Sequence, residues 1–103
     1  MTKKLAIIGA GIAGLTLANL IKKHSDHEFM VYERKESLSL DRGFGIQLAT
    51  NSIKILNEIN FTNISNEKIF NPNFLDFYDI QNKKICDLDL TKFNTKESKY
   101  TTL

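Results

Sequence analysis

The apolar positions of this chain change their period several times, and each change marks an element. Leu5-Ala6-Ile7-Ile8 is a short continuous apolar run, the pattern of a parallel strand buried on both faces. From Ile12 the period lengthens, so that Ala13, Leu17, Leu20 and Ile21 share one helical face. Lys22, Lys23 and His24 then fall at the negative C-terminal end of that helix. A second apolar run, Phe29-Met30-Val31-Tyr32, predicts a second strand. Further on, Thr50 or Asn51 is placed to cap a helix that carries Ile53, Leu56 and Ile59 at three-residue intervals. Phe74 to Ile80 and Lys84 to Leu90 read as two strands of a β-hairpin joined through Gln81-Asn82-Lys83, with Cys86, Leu88 and Leu90 alternating with Asp87 and Asp89. The segments between have no period. Arg34 to Leu40 is polar loop, Asn57 to Asn73 is asparagine-rich and holds the only proline, Pro72, and Thr91 to Leu103 is polar and poorly patterned.

Between the first run and the first helix stands Gly9-Ala10-Gly11-Ile12-Ala13-Gly14. Strand, glycine turn, helix and second strand, closed by the acid Glu33, make a dinucleotide-binding βαβ pattern. In it Gly9 supplies a tight turn, Gly11 lets a pyrophosphate approach the main chain, and Gly14 lets the helix pack closely on the strand. The first N–H groups of the helix and its positive dipole end face the turn, so a diphosphate needs no basic side chain there. Glu33 follows Gly14 by nineteen positions, against about 20 for the acid that grips a ribose. A carboxylate accepts from both ribose hydroxyls and repels a 2′-phosphate, which favours FAD or NAD over NADP. A P-loop is excluded because Leu15-Thr16 stand where Lys-Ser/Thr is needed. A secretory signal is disfavoured by the glycines, by Asn19 and by Lys22-Lys23 in place of a small-residue cleavage site.

Composition narrows the picture without redirecting it. The 103 residues are 42% hydrophobic and 25% charged, enough for one small domain and ordinary for a globular chain. A net charge of +2 with scattered lysines implies neither a nucleic-acid partner nor a membrane surface. Cys86 is the only cysteine, so no disulfide framework forms and a cytoplasmic location is expected. No transmembrane stretch and no metal site are expected either: Asp87 and Asp89 lack a third ligand beside them and read as a solvated strand face. Cys86 reads as an apolar filler, and His24 and His27 as exposed loop residues.

Taken together, GAGIAGLTLANLI, the Glu33-Arg34 pair, the segment Arg42-Gly43-Phe44-Gly45-Ile46 and the helix after Asn51 resemble the N-terminus of the FAD-dependent aromatic hydroxylases. That flavoprotein monooxygenase family includes para-hydroxybenzoate hydroxylase, the ubiquinone-biosynthesis hydroxylases and kynurenine monooxygenase. The resemblance implies that Gly9, Gly11, Ile12, Ala13 and Gly14 hold the FAD pyrophosphate and that Glu33 holds the adenosine ribose. It places Arg34 beside the adenine, and Arg42 and Gly45 near the ribityl or flavin end. The implied reaction of an intact protein is reduction of FAD by NADPH or NADH, then transfer of one oxygen atom of dioxygen to a small aromatic substrate.

The expected fold is therefore α/β, a Rossmann-like βαβ unit followed by a helix and a β-hairpin, and an incomplete domain. Residues 1–60 form the N-terminal part of an FAD-binding domain. Residues 61–103 form a connection and the hairpin that starts a substrate-domain sheet. Two readings compete with the hydroxylase: part of another FAD- or NAD-dependent oxidoreductase, and a non-catalytic nucleotide-binding module. The family's next flavin-contacting arginine and its Asp-Gly and Gly-Asp motifs are expected beyond Leu103, and Ser25-Asp26-His27 stands where the family often has a glycine. The chain reads as truncated, its partner being the missing C-terminal part of the same fold. No catalytic residue is assigned, and the piece alone is expected to be inactive.

Overall fold

The computed structural model describes residues 1–38, 43 and 45–103. They fall into two compact units, Met1–Gly43 and Phe44–Leu103.

The first unit is a βαβ. Strand β1 (Lys4–Ile8) leads into helix α1 (Ile12–His24), and strand β2 (Glu28–Tyr32) returns parallel to β1, with Leu5 opposite Phe29 and Ile7 opposite Val31. One face of this pair carries Leu5, Ile7, Phe29 and Val31 and is covered by α1. The other carries Ala6, Ile8, Met30 and Tyr32 and is open, with Ile8 81% exposed. The continuous apolar run thus alternates in burial, because a single helix covers a single face.

The face that α1 turns to the sheet differs from the one its large apolar residues mark. Ala18 is buried and Gly14, Leu20 and Ile21 are half-buried, whereas Ala13 is exposed and Leu17 is 49% exposed. The cause lies at the turn. A Cβ on Gly14 would overlap the Gly9 carbonyl oxygen and reach Ile7 Cγ2 at 3.4 Å, so the helix starts against the strand and Ala18, one turn on, keeps that approach close. Glycine inside a helix costs about 1 kcal/mol relative to alanine, and here no larger residue fits.

Helix α1 ends at Ser25, whose N–H and hydroxyl both donate to the Ile21 carbonyl, at 3.0 and 2.9 Å. His27 is half-buried rather than exposed: its Nδ1 accepts the Lys3 N–H at 3.3 Å and so joins the chain before β1 to the chain before β2.

In the second unit, strand β3 (Gln47–Leu48) pairs antiparallel with strand β6 (Thr101–Thr102), and Phe70 exchanges both backbone hydrogen bonds with Thr102 from the other side. Helix α2 (Thr50–Asn57) buries Ile53. Its N-cap is Ala49, one residue before the expected caps, and it ends before Ile59 because Asn60 turns left-handed at φ 71°. The hairpin comprises strands β4 (Phe74–Tyr78) and β5 (Lys84–Asp89), with a register shift between Phe77 and Tyr78.

The hairpin carries no covering layer among the described residues, so Phe74, Phe77, Ile85 and Cys86 are exposed and Cys86 fills no core. Asp89 is half-buried and caps the 3-10 turn Leu90–Lys92 by accepting the Thr91 N–H at 3.0 Å, rather than pointing to solvent. Asp76 and Asp87 flank the Lys84 Nζ at 3.1 and 3.2 Å. Hydrogen bonds to Asp76 and Asp87 raise the Lys84 pKa above its ordinary value. Its contribution is complete below the ordinary lysine range and is lost as pH rises through the raised value. Because all three groups are in water, Lys84→Met is expected to shift the thermal midpoint only slightly, and the shift should disappear in a melt at high salt.

Candidate functional site

The turn between β1 and α1 is built by its glycines and held by the end of β2. Gly9 adopts φ +99°, a left-handed conformation that an L side chain would strain, and its N–H donates to the Tyr32 carbonyl at 2.7 Å. The next amide, that of Ala10, donates to Glu33 Oε2 at 2.9 Å. Glu33 Oε1 accepts the Lys35 N–H at 3.0 Å. One carboxylate therefore spans from the glycine turn to the loop after β2.

Gly11 is the N-cap of α1, with extended backbone and no side-chain cap, and a Cβ placed there would meet nothing within 4 Å. No acid stands in the first turn, so its N–H groups lack an internal anion, while Lys22, Lys23 and His24 occupy the last turn. This is the field and donor pattern that accepts phosphate.

The electrostatics of Glu33 follow from the same bonds. The Lys35 N–H, then the Ala10 N–H, hold its carboxyl below the ordinary value of 4.5, with smaller help from the Arg34 amide and the Lys35 charge. A depressed acid stabilises the fold above its unfolded-state pKa, and that contribution is lost as pH falls through the lowered value. The tie between turn and β2 is therefore complete at neutral pH and opens only in acid.

Of the residues singled out from the sequence, Gly9, Gly11, Ile12, Ala13, Gly14 and Glu33 come together in the first unit. Arg34 follows Glu33 and is exposed. Gly45 lies in the second unit, where the neighbouring Ile46 exchanges both backbone hydrogen bonds with Leu103, at 3.1 and 3.0 Å. Arg42 lies outside the described residues. Sequence reasoning missed the Ala10 amide as a partner of Glu33. Its only signal was position, since the second residue of the turn faces the end of the neighbouring strand.

The comparisons bear on family and fold. Residues 7–42 match the family model of an NAD(P)-binding Rossmann-like domain. The FAD-dependent monooxygenase anuJ of Penicillium roqueforti (strain FM164) is 32% identical over 85 residues, which cover 82% of this chain and 9% of that protein. The 3-amino-4-hydroxybenzoate 2-monooxygenase PtnB3 of Streptomyces platensis is 45% identical over 56 residues, 54% of this chain and 14% of that one. The chain is related to the N-terminal part of the FAD-dependent aromatic hydroxylases. The fold agrees with that hydroxylase relationship. The structure of 2,6-dihydroxypyridine-3-hydroxylase from Arthrobacter nicotinovorans superposes with a TM-score of 0.61 at 18% identity, over 99% of this chain and 23% of that one. The chain thus spans about a tenth of the length of the curated hydroxylase relatives it matches.

No group of three or more potential metal ligands occurs among the described residues, and no described helix is long and apolar enough to cross a membrane.

Proposed function

We propose that this chain is the FAD-binding start of a monooxygenase that hydroxylates a small aromatic substrate with NADPH or NADH and dioxygen. The observation that carries the proposal is the glycine turn itself. It combines an uncapped helix N-terminus, open space at Gly11 and an ionised Glu33 beside it. Gly11, Ile12, Ala13 and Gly14 would present main-chain N–H groups to the pyrophosphate, and Gly9 would keep the turn tight. Glu33 uses one lone pair of each oxygen on an amide and retains others for the ribose hydroxyls. Arg34 would lie on the adenine side, and Arg42 and Gly45 toward the ribityl chain or flavin. When bound, FAD supplies the redox and oxygen chemistry, and the protein supplies position and exclusion of water.

The names of the relatives support FAD as the cofactor and an aromatic ring as the substrate class. The lone, unpaired Cys86 is in keeping with a reducing cytoplasm. No catalytic group is assigned among the described residues of the first unit, and the 103-residue chain alone is expected to be inactive.

The NAD(P)-binding description of the matched model favours a second reading, a site for a nicotinamide dinucleotide. Dialysis of the purified chain against FAD and, separately, NAD separates the two. Retention of the visible bands of oxidised flavin, with no binding of NAD, is expected. NAD binding without FAD retention would replace the hydroxylase reading with a dehydrogenase-type one.

A further inference from the structure

The end of β2 grips the glycine turn at two consecutive amides. Gly9 N–H goes to the Tyr32 carbonyl and Ala10 N–H to the Glu33 carboxylate, at 2.7 and 2.9 Å. The Lys35 amide fixes the same carboxylate from its other oxygen at 3.0 Å. Beyond Ala10 the grip stops, since Gly11 caps α1 without a side-chain bond and the helical ladder begins with Leu15 N–H on the Gly11 carbonyl at 3.0 Å.

We propose that Glu33 is a positioning residue for the glycine turn, holding the Ala10 amide so that the N–H groups from Gly11 onward are aligned on one anion before any nucleotide arrives. The inference deepens the nucleotide reading of this turn and rests on it. Two glycines on either side of Ala10 leave that peptide free to rotate, and a turn that must be ordered by its ligand binds more weakly than one already ordered. The carboxylate works against the anion through its charge, with Lys35 as the cation that acts on it. Placing it there is useful only if the order it imposes outweighs that repulsion, and the two effects predict opposite results when the carboxylate is removed.

The first test needs no nucleotide. The labelled 103-residue chain is titrated from neutral to acid pH while NMR follows the Ala10 and Lys35 amides and the Glu33 carboxyl carbon. All three are expected to move together, with one inflection below the ordinary glutamate value of 4.5. An Ala10 amide that stays still, or that follows an ordinary glutamate, overturns the proposal while leaving FAD binding untouched.

The second test measures inorganic pyrophosphate binding to the chain and to Glu33→Leu, which removes both acceptor oxygens together with the charge. Charge alone predicts tighter binding by the variant, whereas presetting predicts binding several-fold weaker; equal or tighter binding overturns the positioning role. If the unaltered chain bound neither pyrophosphate nor FAD although its amides still titrated with Glu33, the nucleotide reading would fall. The Glu33 tie would then be purely structural.

Discussion

Gly14→Ala is expected to destabilise the first unit by about 2 kcal/mol and to lower nucleotide affinity, whereas Gly11→Ala is expected to remove binding and leave stability within about 0.5 kcal/mol. The two positions differ in what a methyl group would meet. At Gly14 it overlaps the Gly9 carbonyl oxygen, and the obstacle is main chain, with no rotamer to move aside. Overpacking of that kind costs up to about 3 kcal/mol, and removing a glycine from a helix returns about 1 kcal/mol, so the clash decides the sign. The strain would be relieved by opening the turn, which also spoils the anion site.

At Gly11 the methyl meets nothing within 4 Å and the backbone has φ −78°, which alanine adopts freely. The slightly poorer N-cap and the stiffer unfolded chain nearly cancel. Only a ligand lying against the turn would feel the substitution. Thermal unfolding with and without FAD separates the effects, because a ligand at 100 times its Kd adds about 2.7 kcal/mol to stability. Gly11→Ala should melt like the unaltered chain without FAD and fail to gain stability with it. Gly14→Ala should melt lower in both conditions. A Gly11→Ala chain that still gained the full FAD shift would place the pyrophosphate elsewhere.

The nucleotide half of this molecule was legible because its signals are local. A turn with positive φ, a close helix approach and an acid at a strand end each ask for one residue type at one position, and Gly9, Gly14 and Glu33 stand at those positions. Less legible was the helical face. Counting large apolar residues selects Leu17, but the approach fixed at Gly14 turns Ala18 to the sheet, so small side chains mark the packed face better than large ones.

Least legible was the segment Thr91–Leu103. It has no period of its own, and its two-residue strand forms only by pairing with Gln47–Leu48 and Phe70, far away in sequence. Asparagines supply much of what holds it. Asn57 donates to the Glu97 carbonyl at 2.8 Å, Asn71 to Tyr100 O and Thr101 Oγ1 at 3.0 Å each, and Asn94 accepts the Tyr100 N–H at 2.8 Å. In the sequence these residues read as loop composition. In the structure Asn57 and Asn71 fasten the segment to the rest of its unit and Asn94 closes it on itself, while Ser98 and Thr101 become buried polar groups with partners.

Leu90→Ala is expected to cost the second unit about 2 to 5 kcal/mol, the range for emptying a buried leucine site. Leu90 is 3% exposed and is, with Ile53, one of two buried apolar residues described in that unit. Its N–H also donates to the Asn73 carbonyl at 2.9 Å, so it closes the end of the hairpin where β4 begins and β5 ends. Two neighbours make the comparison specific. Leu88, two residues earlier in β5, is 39% exposed, and Leu88→Ala should cost less because that part of its surface is already in water. Asp89 caps the turn that carries Leu90, so Asp89→Ala should cost about 1 kcal/mol through the lost Thr91 hydrogen bond. Denaturant melts of the three variants, with amide exchange at Asn73 to Asp89, would rank them. The largest loss from Leu90→Ala would show that the hairpin is fastened to its unit at its open end, where Leu90 is buried. A larger loss from Leu88→Ala would instead mean that the exposed face of the hairpin is covered in solution.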